Sequence, residues 1–165
     1  RGTWGLLAML ALDLGLFGLG AGLTAADMTS LVGTDVETSA QGTVIVHVQG
    51  PNPRRIPVLA AWEAEVARLA DLVGGQPAFR SARRHIARND IGRFCERLNW
   101  QHAPSLSLHR LRVTWLVGHL DAGTPLHLIA DAAGVSATSV ARYATFALSL
   151  PTSVSDGLLR RDQQT

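Results

Sequence analysis

Tyr143 is the one tyrosine in 165 residues, and no lysine occurs anywhere. All 15 basic residues are arginine, a usage expected from nucleotide composition. A tyrosine nucleophile therefore has one candidate, and any mechanism that needs a lysine is excluded. Cys95 is the single cysteine, which excludes an internal disulfide framework and a thiolate zinc site. His47, His85, His102, His119 and His127 have no metal-ligand spacing with nearby carboxylates, so neither metal nor cofactor is expected. What remains is arginine chemistry. Arg80, Arg83, Arg84, Arg88, Arg93, Arg97, Arg110 and Arg112 are opposed only by Asp90 and Glu96, while the whole chain carries +2. The rest of the chain is therefore net acidic. A basic stretch of this kind is the electrostatic footprint of a phosphate-backbone binder; the alternative is a solvated helix face that binds nothing.

The elements that must position these residues are mostly helical. Hydrophobic residues make up 47% and charged residues 17%, which excludes a disordered tail and predicts one domain with a core. We place that domain at 1–150 and a polar tail at 151–165. The chain begins at Arg1 rather than Met, as expected of a piece of a longer protein. Trp4 to Ala26 carries only Asp13 as a charge, but that charge falls mid-run and five glycines interrupt the segment. It reads as a buried core helix from Trp4 to about Gly18, followed by a Gly-rich turn, and not as a membrane span. Thr24 is expected to cap a short helix with Asp27 near the capping-box position. Thr34 to Gly42 reads as a loop. A β-hairpin at about 43–58 is predicted from the β-branched run Thr43 to Gln49, the Gly50-Pro51-Asn52-Pro53 turn and a return strand ending near Pro57. Helices follow at Ala60–Val73, Asn89–Trp100, Leu106–Leu120, Leu126–Ala133 and Ala137 to about Leu148. Trp62, Trp100 and Trp115 are expected in the core. The fold class is mainly α with a small antiparallel β-hairpin or sheet.

Leu128 to Arg142 has the pattern of a helix-turn-helix. Ala130 permits close helix approach, Gly134 supplies a positive φ, and Ser136 can cap the second helix. Ala137, Thr138 and Arg142 would then face a major groove, the reading of a transcriptional regulator.

A longer pattern runs through the whole chain. His109-Arg110-Leu111-Arg112 matches the His-x-x-Arg box of tyrosine recombinases, the phage integrase family. Thr114-Trp115, His119-Leu120, Ala122 to Leu126 and Ala133-Gly134-Val135 keep that family's spacing. Gly20 to Thr24 stands where the family has Thr-Gly-Leu-Arg, and Leu31 to Val36 resembles its Leu-x-Trp-x-Asp-Val segment with Gly33 replacing the tryptophan. Val46 to Val58 resembles its hairpin, including the Arg-x-x-Pro end. The resemblance covers roughly Leu7 to Leu148.

The resemblance implies a catalytic-domain fold whose chemistry is metal-free DNA strand exchange through a phosphotyrosyl link, with double-stranded DNA as partner. It assigns Tyr143 as nucleophile, one residue short of the family position, and His109 and Arg112 to the phosphate clamp. The first arginine is replaced by Thr24, the hairpin lysine by Gln49 and the late histidine by Val135. The implied function is DNA binding with strand cleavage impaired or lost; the alternative is an active recombinase using Tyr143. A third class is a partner-binding module without DNA affinity. Arg54, Arg55, Arg80, Arg83, Arg84, Arg88, Arg110 and Arg142 are the expected DNA-backbone contacts. A cytoplasmic location, nucleoid-associated in a bacterium, and homo-oligomerisation through the tail from Pro151 go with that reading.

Overall fold

In the computed structural model, residues 15–79, 88–98, 106–148, 154, 155 and 160 are described; for 88, 97 and 98 this extends to the backbone only. Residues 15–20 form helix α1 and bury Leu16 and Phe17. The chain then turns through Gly22, whose φ of 59° favours glycine. Helix α2 (Ala25–Ser30) starts on a full capping box, because Thr24 and Asp27 each accept the other's backbone N–H.

The segment expected as a loop after Gly33 contains a strand. β1 (Val36–Thr38) pairs antiparallel with β2 (Val44–Val48), which pairs with β3 (Arg54–Pro57). The predicted hairpin is thus two strands of a three-stranded sheet. Register aligns Val36 with Val46, and Val46 with Ile56. Pro57 ends β3 at a sheet edge, where its missing N–H removes no ladder bond. Val44, Val46, Val48, Ile56 and Val58 bury the inner face.

After a 3-10 turn at Ala60–Trp62 come α3 (Glu63–Val73), α4 (Arg88–Leu98), α5 (Leu108–Asp121) and α6 (Leu126–Ala133). Ile91, Phe94 and Cys95 of α4 are buried as their spacing predicts. Trp115 is buried and Trp62 half-buried; Trp100 lies outside the described residues. The last predicted helix is shorter than its pattern. α7 spans Ala137–Ala141, and Arg142–Phe146 tightens to 3-10 geometry. No helix among the described residues is long and apolar enough to cross a membrane.

His119, near the end of α5, lies edge-on to Trp115 with ring centroids 4.5 Å apart, and its Nδ1 is 3.2 Å from Thr124 Oγ1. Burial pushes its pKa below the ordinary 6.5. The folded state therefore favours the neutral ring, while the unfolded chain takes up the proton at the higher, ordinary value. Stability is expected to begin falling as the pH drops below about 6.5 and to keep falling until the folded pKa is passed. Urea midpoints measured through that window should show the slope, and His119→Phe should remove this contribution to it.

Candidate functional site

The site is built on the C-terminal end of α6. A helix ends with unsatisfied carbonyls that carry partial negative charge. Here three consecutive carbonyls each receive a different side chain. Ala132 O accepts from Arg54 Nε at 2.9 Å, Ala133 O from Arg112 Nη2 at 2.6 Å, and Gly134 O from Asn52 Nδ2 at 2.9 Å. Gly134 makes this possible with a left-handed φ of 67°. A Cβ there would lie 2.6 Å from Asn52 Nδ2, so glycine is also needed for the hairpin to approach.

Arg112 belongs to the buried stripe of α5, with Leu108, Trp115 and Leu116, and is only 7% exposed. Its Nη1 donates to Gly22 O in the turn before α2. Burial depresses its pKa and the nearby Arg54 charge adds to this, while Asp27 and Tyr143 oppose the shift. The described contacts take two of its N–H groups. A guanidinium has about five, so most of its donor capacity remains.

Arg54 is placed differently. It forms a bidentate pair with Asp27, Nη2 to Oδ2 at 2.7 Å and Nη1 to Oδ1 at 3.2 Å, and Nη1 also reaches Asn52 O. With Ala132 O, four of its N–H donors are engaged inside the protein. Burial of Asp27 raises its carboxyl pKa, but hydrogen bonds from Arg54 and Thr24 and the Arg54 charge outweigh this and leave it below the ordinary 3.8. The cation on this cleft with donors to offer is therefore Arg112.

A cleft of about 530 Å³ opens beside these groups. Thr24, Gln49, Arg112 and Val135 all line it, as do Asp27 and Arg54. Thr24, Gln49 and Val135, where the resemblance expects an arginine, a lysine and a histidine, thus share the cavity that holds Arg112. A second cleft of about 430 Å³ is lined by Arg112, Leu116, Val135, Ser139, Arg142 and Tyr143, together with Phe146. Arg112 and Val135 belong to both, so half-buried Tyr143 stands on the same surface as the guanidinium.

The remaining sequence-selected residues are dispersed. His109 is exposed on the first turn of α5 and lines neither cleft. Arg55 is exposed on β3 opposite His47, and Arg110 and Arg142 are exposed. Arg88 begins α4, and Arg80, Arg83 and Arg84 lie outside the described residues. Asp27 and Asn52 were not selected from sequence as site residues. Asp27 was visible only as a helix cap, and nothing local marks Asn52 beyond its turn. Among the described residues, no three His, Cys, Asp or Glu side chains gather as metal ligands.

No family model and no curated protein matches the sequence. Solved structures do. The chain is similar to XerA recombinase with a TM-score of 0.64 and 18% identity, over 97% of this chain and 60% of that one. The fold is that of a tyrosine-recombinase catalytic domain. The integrase of transposon Tn1549, in complex with transposon right-end DNA, gives a TM-score of 0.65 at 16% identity, over 97% of this chain and 60% of that one. XerH site-specific recombinase, bound to its palindromic difH substrate after cleavage, gives 0.61 at 14%, over 94% and 46%. The chain spans about 60% of the length of the first two structures.

Proposed function

We propose that this recombinase-like domain binds double-stranded DNA through its phosphates and is impaired in strand cleavage. The observation that carries this reading is the composition of the Arg112 cleft. One buried guanidinium keeps donors open there, while Thr24, Gln49 and Val135 occupy the other family positions. Threonine, glutamine and valine supply neither a second positive charge nor an acid for a leaving oxygen. Loss of one preorganised donor costs roughly 10²–10³ in rate at such sites, and three are changed. Arg54 does not restore the first arginine, because Asp27 neutralises it. In this reading exposed Arg55, Arg110 and Arg142, with the Arg80–Arg88 stretch, supply backbone contacts, and the protein works in the compartment that holds DNA. The tail from Pro151 is a candidate contact between copies.

The test is a gel-shift salt titration on duplex DNA. Binding should weaken steeply with salt, and Arg112→Gln should weaken it at every salt concentration. Absence of binding at low salt would sink the reading. One observation favours a second reading, active cleavage: Tyr143 and Arg112 line one cleft. A nicked suicide substrate separates the two. A covalent adduct that disappears in Tyr143→Phe establishes cleavage; no adduct alongside retained binding supports the impaired form.

A further inference from the structure

The segment that carries Tyr143 is held to the domain by little apolar burial. Val140 before it is fully buried, yet Arg142, Ala144, Thr145, Phe146 and Leu148 are all exposed, Phe146 at 68% and Leu148 at 77%. Tyr143 itself is half-buried, and the segment packs along α5. Tyr143 meets α5 near Arg112 and Leu116. At the far end of the same helix, the Leu148 backbone N–H donates to Asp121 Oδ1 at 2.6 Å. This contact joins residues 27 apart in sequence and ends the described run of the chain.

Asp121 is an unfavourable residue for helix stability where it stands. It is the last residue of α5, where a carboxylate faces the negative end of the helix dipole. Its place is explained by what it accepts rather than by what it does for the helix.

We propose that Asp121 is a positioning residue, a latch that anchors the far end of the 142–148 segment and thereby sets how Tyr143 is presented beside Arg112. With the latch closed, the segment is fixed at both ends, by Val140 and by Asp121. With it open, five residues beyond Tyr143 lose their only long-range hydrogen bond among the described contacts. The tyrosine is then held only by its own packing against the core and spends more time away from α5.

The role of the latch rests on reading Tyr143 as the residue offered to DNA, but its test uses no DNA. A protein that fails to bind or cleave leaves the measurements unaffected, and a failed latch leaves the binding test unaffected. Because Tyr143 is the single tyrosine, nitration by tetranitromethane reports on this position alone and is assigned by peptide mass. Asp121→Ala should raise the nitration rate several-fold with unchanged circular dichroism. Asp121→Asn, which keeps an acceptor oxygen, should stay near the unsubstituted rate. A folded Asp121→Ala protein that is nitrated no faster overturns the proposal. In the unsubstituted protein the Leu148 amide should exchange with solvent far more slowly than expected for so exposed a residue. Exchange at the unprotected rate overturns the proposal without any variant.

Discussion

Asp27→Ala should cost about 3 kcal/mol of stability, the lower end of the range for breaking one side of a buried ion pair. The side chains of Arg54 and Asp27 are 9% and 12% exposed, and the cleft they line lets water reach the orphaned guanidinium only in part. The same substitution removes the acid of the α2 capping box, which leaves the Thr24 N–H without its acceptor. For a domain of this size the loss amounts to roughly 10 °C in Tm. The pH dependence has a definite sign. The folded pKa of Asp27 lies below its ordinary 3.8, so its contribution is fully present above that value. It is lost as the pH falls further, through the folded pKa. Urea titrations at acid pH should therefore show a destabilisation that Asp27→Asn no longer shows, from a lower starting stability.

Gly22→Ala should be comparably damaging for an unrelated reason. Gly22 holds a positive φ, and an added Cβ would stand against the Trp115 ring, 2.5 Å from Cδ2. A non-glycine residue in that backbone region costs about 1–3 kcal/mol, and overpacking a fixed core adds about 1–3 more. Trp115 is 3% exposed but borders clefts of about 340 and 160 Å³, so ring movement keeps the overpacking cost at the lower end of that range. The displaced turn also carries the carbonyl that holds Arg112 Nη1. Gly22→Ala is thus expected to lower both the urea midpoint and the affinity for duplex DNA. Gly42→Ala provides the contrast. Its φ of 85° is strained as well, but a Cβ there meets nothing, so a smaller stability loss and no change in binding are expected.

Most of the fold was legible because its signals are local. Thr24, Gly134 and Ser136 mark helix ends by their own chemistry, and the β-branched run at Val44–Val48 reads directly as a strand. β1 was not legible, because Glu37 and Thr38 are exposed and the strand is specified by pairing with Ile45 and Val44. The early end of α7 was hidden too. Ala144, Ala147 and Leu148 are good helix formers, yet the chain takes 3-10 geometry over Arg142–Phe146. Of the candidate site, Arg112 and Tyr143, which line one cleft, were picked out by a motif and a count. Arg54 was selected as an open cation, and its burial depends on Asp27, 27 residues away. Sequence spacing carries no record of such a partner.

The three capped carbonyls at the end of α6 have a consequence for how the chain can be divided. Their donors lie 78, 21 and 82 residues from them, and Arg112 is tied at its other end to Gly22, 90 residues earlier. No cut between Gly22 and Ala133 leaves a fragment that keeps both partners of Arg112. A transplanted His109–Arg112 box would carry only a solvated arginine. Because closing such long loops precedes any reward from these contacts, the cleft forms only as the whole domain closes. An incomplete or half-unfolded chain therefore has no assembled Arg112 cleft.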